Sequence, residues 1–190
     1  MKKGLITLAA LTLLTGCASG FKLHGGGSEL SSRDLSVTPQ SDWNLAVGVP
    51  TAKHTQMLTS YGLGIDEILV IGGVADGEPL FDRGNNFPGF RSDMLPNEIV
   101  ELVQASITLR DDTTLFEAGE LKPADFAGQP GFDFSYTFTG KDEIRRKGRA
   151  VGANVDGKLS LVVLNAPAVH YYDQLLPEFE RLVSSSQIDG

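Results

Sequence analysis

Three histidines, a single cysteine and one knot of cations are the side chains in this 190-residue chain whose chemistry could reach beyond packing. His170 stands directly before Tyr171 and Tyr172, where an imidazole can act as a general base or touch a small ligand beside the two rings. A hydrolase built on it would also need a nucleophilic serine or a bound metal. No serine occupies a Gly-x-Ser-x-Gly elbow, so the glycine run His24-Gly25-Gly26-Gly27 has no nucleophile to serve as an oxyanion hole. His24 and His54 lack the spacing of a zinc site, and Asp42 and Asp111-Asp112 lack that of a calcium loop, so no metal and no cofactor is expected. Lys141, Arg145, Arg146, Lys147 and Arg149 form the one basic cluster. On a strand Arg145, Lys147 and Arg149 share a face that could receive an acidic partner, or could simply be a charged outer face that protects a sheet. Residues 82–92 are rich in turn formers and offer Phe87, Phe90 and Arg91, residue types enriched in interface anchors.

Composition narrows the possibilities. The chain is 41% hydrophobic and 21% charged, enough for one ordinary globular domain. Sixteen cations against 24 acids give a net charge of −8, which disfavours nucleic acid as a partner because phosphate-backbone binding needs clustered cations. One cysteine excludes an internal disulfide.

The first sixteen residues have the form of a secretion signal, with Lys2 and Lys3 followed by an apolar run from Leu5 to Leu14. That run is about half the ~20 residues a membrane-spanning helix requires. Leu14-Thr15-Gly16-Cys17 resembles the bacterial lipobox, in which a diacylglycerol is attached to the cysteine thiol before cleavage. The resemblance implies an acylated mature N-terminus at Cys17, and Ala18 rather than Asp implies sorting to the outer membrane with the domain facing the periplasm. Removing residues 1–16 takes away two lysines and no acid, so the net charge moves from −8 to −10. The lipid, rather than the protein surface, would then hold the domain to the membrane.

These groups need elements to position them. Residues 17–32 are small and polar and are expected to be a flexible tether, with a single α+β domain over 33–190. Leu35–Thr38 and Trp43–Val47 alternate as half-buried strands do, and Ile68-Leu69-Val70-Ile71 reads as a strand covered on both faces. A helix is expected from about Pro96 to Gln104, capped by Ser92 or Asp93. A strand over Ile107–Phe116 and a loop over Gly119–Gly131 follow. Phe132, Phe134, Tyr136 and Phe138 recur at period two, Asp156-Gly157 is a hairpin signal, and 144–155 and 159–164 complete a three-stranded meander. The apolar positions 172, 175, 176, 179, 182 and 183 give a final amphipathic helix interrupted by Pro177.

The sequence from the Arg-rich strand through Asp156-Gly157, Leu159–Asn165, Tyr171-Tyr172 and the closing Pro177–Ser185 segment resembles the PsbP-like superfamily. That resemblance implies an antiparallel β-sheet flanked by helices, an α/β/α sandwich, used for binding or assembly without catalysis. The expected role is a non-catalytic binding or assembly module of the envelope, held by its lipid and engaging an envelope protein. The alternatives are a small-ligand carrier with a pocket between sheet and C-terminal helix near Tyr171 and Tyr172, or a hydrolase using His170. Cys17→Ser should abolish metabolic palmitate labelling and leave the uncleaved precursor. Unchanged labelling of the Cys17→Ser protein contradicts the lipid assignment.

Overall fold

A computed structural model describes residues 20–49, 51–81 and 86–189. Cys17 and the signal segment lie outside them. Eleven strands and two helices follow in order: β1 (Gly20–His24), β2 (Leu30–Ser32), β3 (Leu35–Val37), β4 (Trp43–Val47), β5 (Thr55–Thr59), β6 (Glu67–Val74), α1 (Pro96–Asp111), β7 (Leu115–Phe126), β8 (Gln129–Thr139), β9 (Arg145–Val155), β10 (Lys158–Pro167), α2 (Tyr171–Ser184) and β11 (Gln187–Ile188). Eight strands form one antiparallel sheet in the order β1-β4-β5-β6-β10-β9-β8-β7, while β11-β3-β2 make a small second sheet.

Alternation along each strand divides the interior into two cores. Leu69, Ile71, Leu159, Leu161 and Val163 face α1, which contributes Ile99, Leu102, Val103 and Ile107. Ile68, Val70, Val162 and Leu164 face α2 and the small sheet, meeting Tyr172, Leu175, Phe179, Leu182, Leu35 and Val37. The sheet is thus covered on both sides, an α+β sandwich of three layers, and β6 and β10 at its centre carry the apolar runs that two covered faces demand. Asp156 and Gly157 both adopt positive φ in the two-residue turn joining β9 to β10.

Four expectations are corrected. The tether expected over 17–32 contains β1 and β2, with β1 paired along its whole length to β4. A strand that joins an edge through its backbone buries little side chain, so its composition looks like a linker. Gly26 passes so close to Gln40 that a Cβ would lie 2.5 Å from that carbonyl oxygen, which gives the glycine run a packing role. Helix α1 extends to Asp111 instead of stopping near Gln104, because Ser106, Ile107 and Arg110 continue its inward stripe at helical spacing. Its cap is Leu95, whose N–H donates to Glu98 Oε2 at 2.8 Å, and not Ser92 or Asp93. The loop expected over 119–131 is mostly β7 and the start of β8. β7 is an exposed edge strand with a register shift between Ala118 and Leu121, and an edge strand tolerates Pro123 because one side of it carries no ladder.

On the α1 face the aromatic ladder Phe132, Phe134, Tyr136 and Phe138 runs down β8 with ring centroids 5.9–6.3 Å apart. Its neighbours on β9 are Gly152, Ala150, Gly148 and Arg146, so three of the four rings sit beside a residue with little or no side chain. At Gly148 the space is already occupied: a Cβ there would fall 2.1 Å from Tyr136 Cε2 and 2.7 Å from Asn165 Oδ1. Gly148→Ala should therefore cost about 3 kcal/mol, more than removal of the Tyr136 hydroxyl alone. Urea unfolding of both variants measures this, and a Gly148→Ala protein as stable as the parent contradicts it.

Candidate functional site

The α1 face opens into a cleft of about 360 Å³ at the end of the sheet where α1 finishes and α2 begins. Its apolar lining comes from Val49, Met57 and Phe138, and its lip from Leu63 and Ile65, two of the exposed large hydrophobic residues. The lip loop is fixed by the buried carboxylate of Asp66, which accepts hydrogen bonds from Thr59 Oγ1 at 2.9 Å and from the Ser60 and Tyr61 amides at 2.8 Å. Gly62 and Gly64 take positive φ there, a conformation that a side chain would strain.

The polar floor of the cleft is one hydrogen-bonded line across the sheet. Tyr136 Oη on β8 donates to Asn165 Oδ1 on β10 at 2.7 Å, over Gly148 of β9. Asn165 Nδ2 then donates to Glu67 Oε1 on β6 at 2.8 Å. Arg110 closes the line from the last turn of α1: its Nη2 donates to the same Glu67 oxygen, and its Nε and Nη2 grip Asp111 at 2.8 and 2.7 Å. The Arg110 side chain is 6% exposed, lies 4.5 Å above the Phe81 ring, and has one nitrogen, Nη1, with no hydrogen-bond partner among the described residues. Burial alone would lower the guanidinium pKa, but Glu67 and Asp111 more than reverse this and hold it fully charged. Burial likewise raises the Tyr136 phenol well above its usual value and keeps it a donor. Arg146 joins the wall of the cleft, pairing with Asp142 at 2.6 Å and donating to the Gly64 carbonyl at 3.1 Å. The arrangement can hold a molecule by apolar contact and hydrogen bonding; Glu67, Asp111 and Asp142 are each paired with an arginine.

The residues singled out from the sequence are distributed differently. Phe90 is completely buried in the α1-side core instead of exposed, because its N–H and C=O pair with Glu78 and Gly77 and turn the ring inward. Phe87 packs on the same core, edge-on to Phe81, and Arg91 is exposed but pairs with Asp93 and Glu98 at the start of α1. Arg149 already has its acidic partners, Asp133 at 2.7 Å and Glu180 of α2 at 2.7 Å, which hold its pKa raised. Arg145 is exposed, lining an open groove of about 400 Å³ with Lys147 and Tyr172 on the α2 face.

His170, Tyr171 and Tyr172 do not converge. Tyr171 meets Tyr61 edge-on, Tyr172 is buried under α2, and exposed His170 has only the Gln174 amide as a side-chain hydrogen-bond partner among the described residues. The pocket expected between sheet and α2 is filled by Leu175, Phe179 and Leu182. What sequence reasoning missed was the cleft, although two signals for it exist. Asn165 interrupts an apolar strand, and Arg110 falls on the apolar stripe of α1.

A second polar cluster lies at the opposite end of β6. Arg33 donates to Glu78 at 2.5 and 2.9 Å and to the Gly73 carbonyl at 2.7 Å. His54 Nδ1 is 3.9 Å from the same carboxylate, and burial lowers the pKa of the imidazole.

Comparisons with known proteins bear on this geometry through the fold alone. No protein-family model matches the chain, and no curated protein matches it in sequence. Among solved structures, cyanobacterial PsbP (CyanoP) from Synechocystis sp. PCC 6803 superposes with a TM-score of 0.56 at 14% identity, covering 95% of this chain and 98% of that one. The Ran-binding protein Mog1p of Saccharomyces cerevisiae gives 0.52 at 10% identity over 90% and 96% of the two chains. LpqN of Mycobacterium tuberculosis, described as involved in cell envelope biogenesis, gives 0.36 at 10% identity over 93% and 88%. The CyanoP superposition shows that the chain has the PsbP-like fold.

The Arg33 guanidinium and the Ala75 amide hold the Glu78 carboxyl at about 2, and Arg146 does the same for Asp142. A carboxylate depressed on folding contributes stability that is complete above its unfolded value of 4.5 and lost as pH falls toward about 2. Stability should fall with acid through that window, and Glu78→Gln should flatten the slope without abolishing it. Urea titrations at a series of pH values test this, and an unchanged slope in Glu78→Gln contradicts it.

Proposed function

We propose that the protein is a non-catalytic binding module of the bacterial envelope, anchored through a lipid on Cys17 and working in the periplasm from the outer membrane. Its binding site is the cleft at the end of the sheet. One observation carries this reading: a rigid, self-paired polar floor containing the buried Arg110 lies under a lip that leaves Leu63 and Ile65 in solvent. Exposed apolar residues beside convergent polar groups are the common form of a recognition site.

The floor suits binding more than catalysis. Each of its carboxylates is occupied by an arginine or an amide, which fixes position and removes the free base that a hydrolase would use. The cleft, in place of the 82–92 loop and the Arg149 face, is where an envelope protein segment or a small molecule would sit. The PsbP-like fold supports a binding role by analogy.

A photo-crosslinking residue at Leu63 in intact cells should give a discrete adduct, while the same residue at Leu95, exposed at the opposite end of α1 from the cleft, should not. Equal yields at the two positions contradict the assignment of the cleft.

A further inference from the structure

We propose that the β1 edge of the sheet rests on the phospholipid bilayer, with Phe21 and Leu23 inserted at its interface. This rests on the lipid anchor at Cys17. Phe21 and Leu23 are 50% and 66% exposed. They stand on the same side of β1, since Phe21 is paired with Ala46 and Leu23 with Asn44 two positions along. Ala46 packs on the α1-side core, which puts both residues on the α1 face, but α1 itself lies toward β7 and leaves β1 uncovered. β1 is the terminal strand of the sheet, so one edge of its backbone has no strand partner among the described residues.

The length of chain between anchor and sheet says what covers this edge. Only three residue steps separate Cys17 from Gly20, a reach of about 11 Å at full extension. An acylated Cys17 sits at the boundary of the hydrocarbon, so Gly20 stays within about 11 Å of that boundary, and β1 remains at the headgroup region when it lies along the bilayer surface. An aromatic and a leucine side chain held there bury apolar surface, while Lys22, on the opposite side of the strand, can extend its ammonium toward lipid phosphate. A second copy of the chain is the rival occupant, because free strand edges can pair. Edge pairing would satisfy the β1 backbone yet leave Phe21 and Leu23 standing on the sheet face in water, so the bilayer fits better. The far edge, β7, is then about 34 Å away across seven strand spacings.

The test uses the mature lipoprotein in vesicles of phosphatidylethanolamine and phosphatidylglycerol. Because acylation removes the only native thiol, a nitroxide can be attached at Leu23→Cys or, as a control, at Leu115→Cys on β7. Both sites are exposed, and circular dichroism melts check that each variant folds. The label at position 23 should be relaxed more by oxygen than by an aqueous nickel chelate, with the reverse at position 115. An aqueous profile at both sites overturns the proposal, and so does spin–spin broadening at position 23, which would mean a β1-to-β1 dimer. Intact mass separates the two layers of inference. An acylated protein with an aqueous position 23 refutes only the bilayer contact, whereas an unacylated protein removes the anchor and this proposal together.

Discussion

Tyr136 reaches Asn165 only because the residue between them, Gly148, has no side chain. The phenol crosses β9 at that gap and finds a partner on β10, and from there hydrogen bonds continue to Glu67 on β6 and Arg110 on α1. Four strands of one sheet and the helix above them are thereby held in register at one end. A buried line of this kind is stable only if each member is satisfied, since a lone buried carboxylate or hydroxyl costs more than its hydrogen bond returns. The small residues of β9 and the aromatic ladder of β8 follow from the same requirement, because rings leaning across β9 need low ground to lean over.

The line also defines the cleft. Its last members, Asn165, Glu67, Arg110 and Asp111, form the floor, and the lip is set by a second carboxylate, Asp66, one residue before Glu67. Two adjacent acids at the start of β6 thus have separate tasks: Asp66 shapes the loop that exposes Leu63 and Ile65, and Glu67 fixes the floor beneath it. Binding needs both a fixed base and an apolar rim, and these four residues of β6 and its preceding loop supply the connection between them.

Much of the architecture was legible because local pattern and global environment agree. The β-branched run at 68–71 is central and covered on both sides, the Asp156-Gly157 turn closes the hairpin it signals, and the closing helix buries the face its spacing marks. The pattern misled where backbone pairing or burial decided the outcome without help from side chains. β1 joins the sheet without burying Phe21 and Leu23 against the protein, and β7 accepts Gly119 and Pro123 because it is an edge. Ile107 and Thr108 have strand propensity, yet the core beneath Ile107 keeps them helical. The site was harder still. Its members lie at positions 67, 110, 136 and 165, and no spacing rule joins residues that only strand order brings together. Phe90 failed as a surface residue for the converse reason, since a turn-rich composition does not reveal which way an aromatic ring points.

The dependence of sheet and cleft on a single connected line is tested most directly by a double-mutant cycle between its two ends, Tyr136→Phe and Arg110→Met, followed by urea unfolding. Among the described residues the hydrogen bonds that join the two side chains run through Asn165 and Glu67. A coupling energy above about 0.5 kcal/mol is expected if the line acts as a unit, whereas strict additivity of the two changes would mean that its parts are independent.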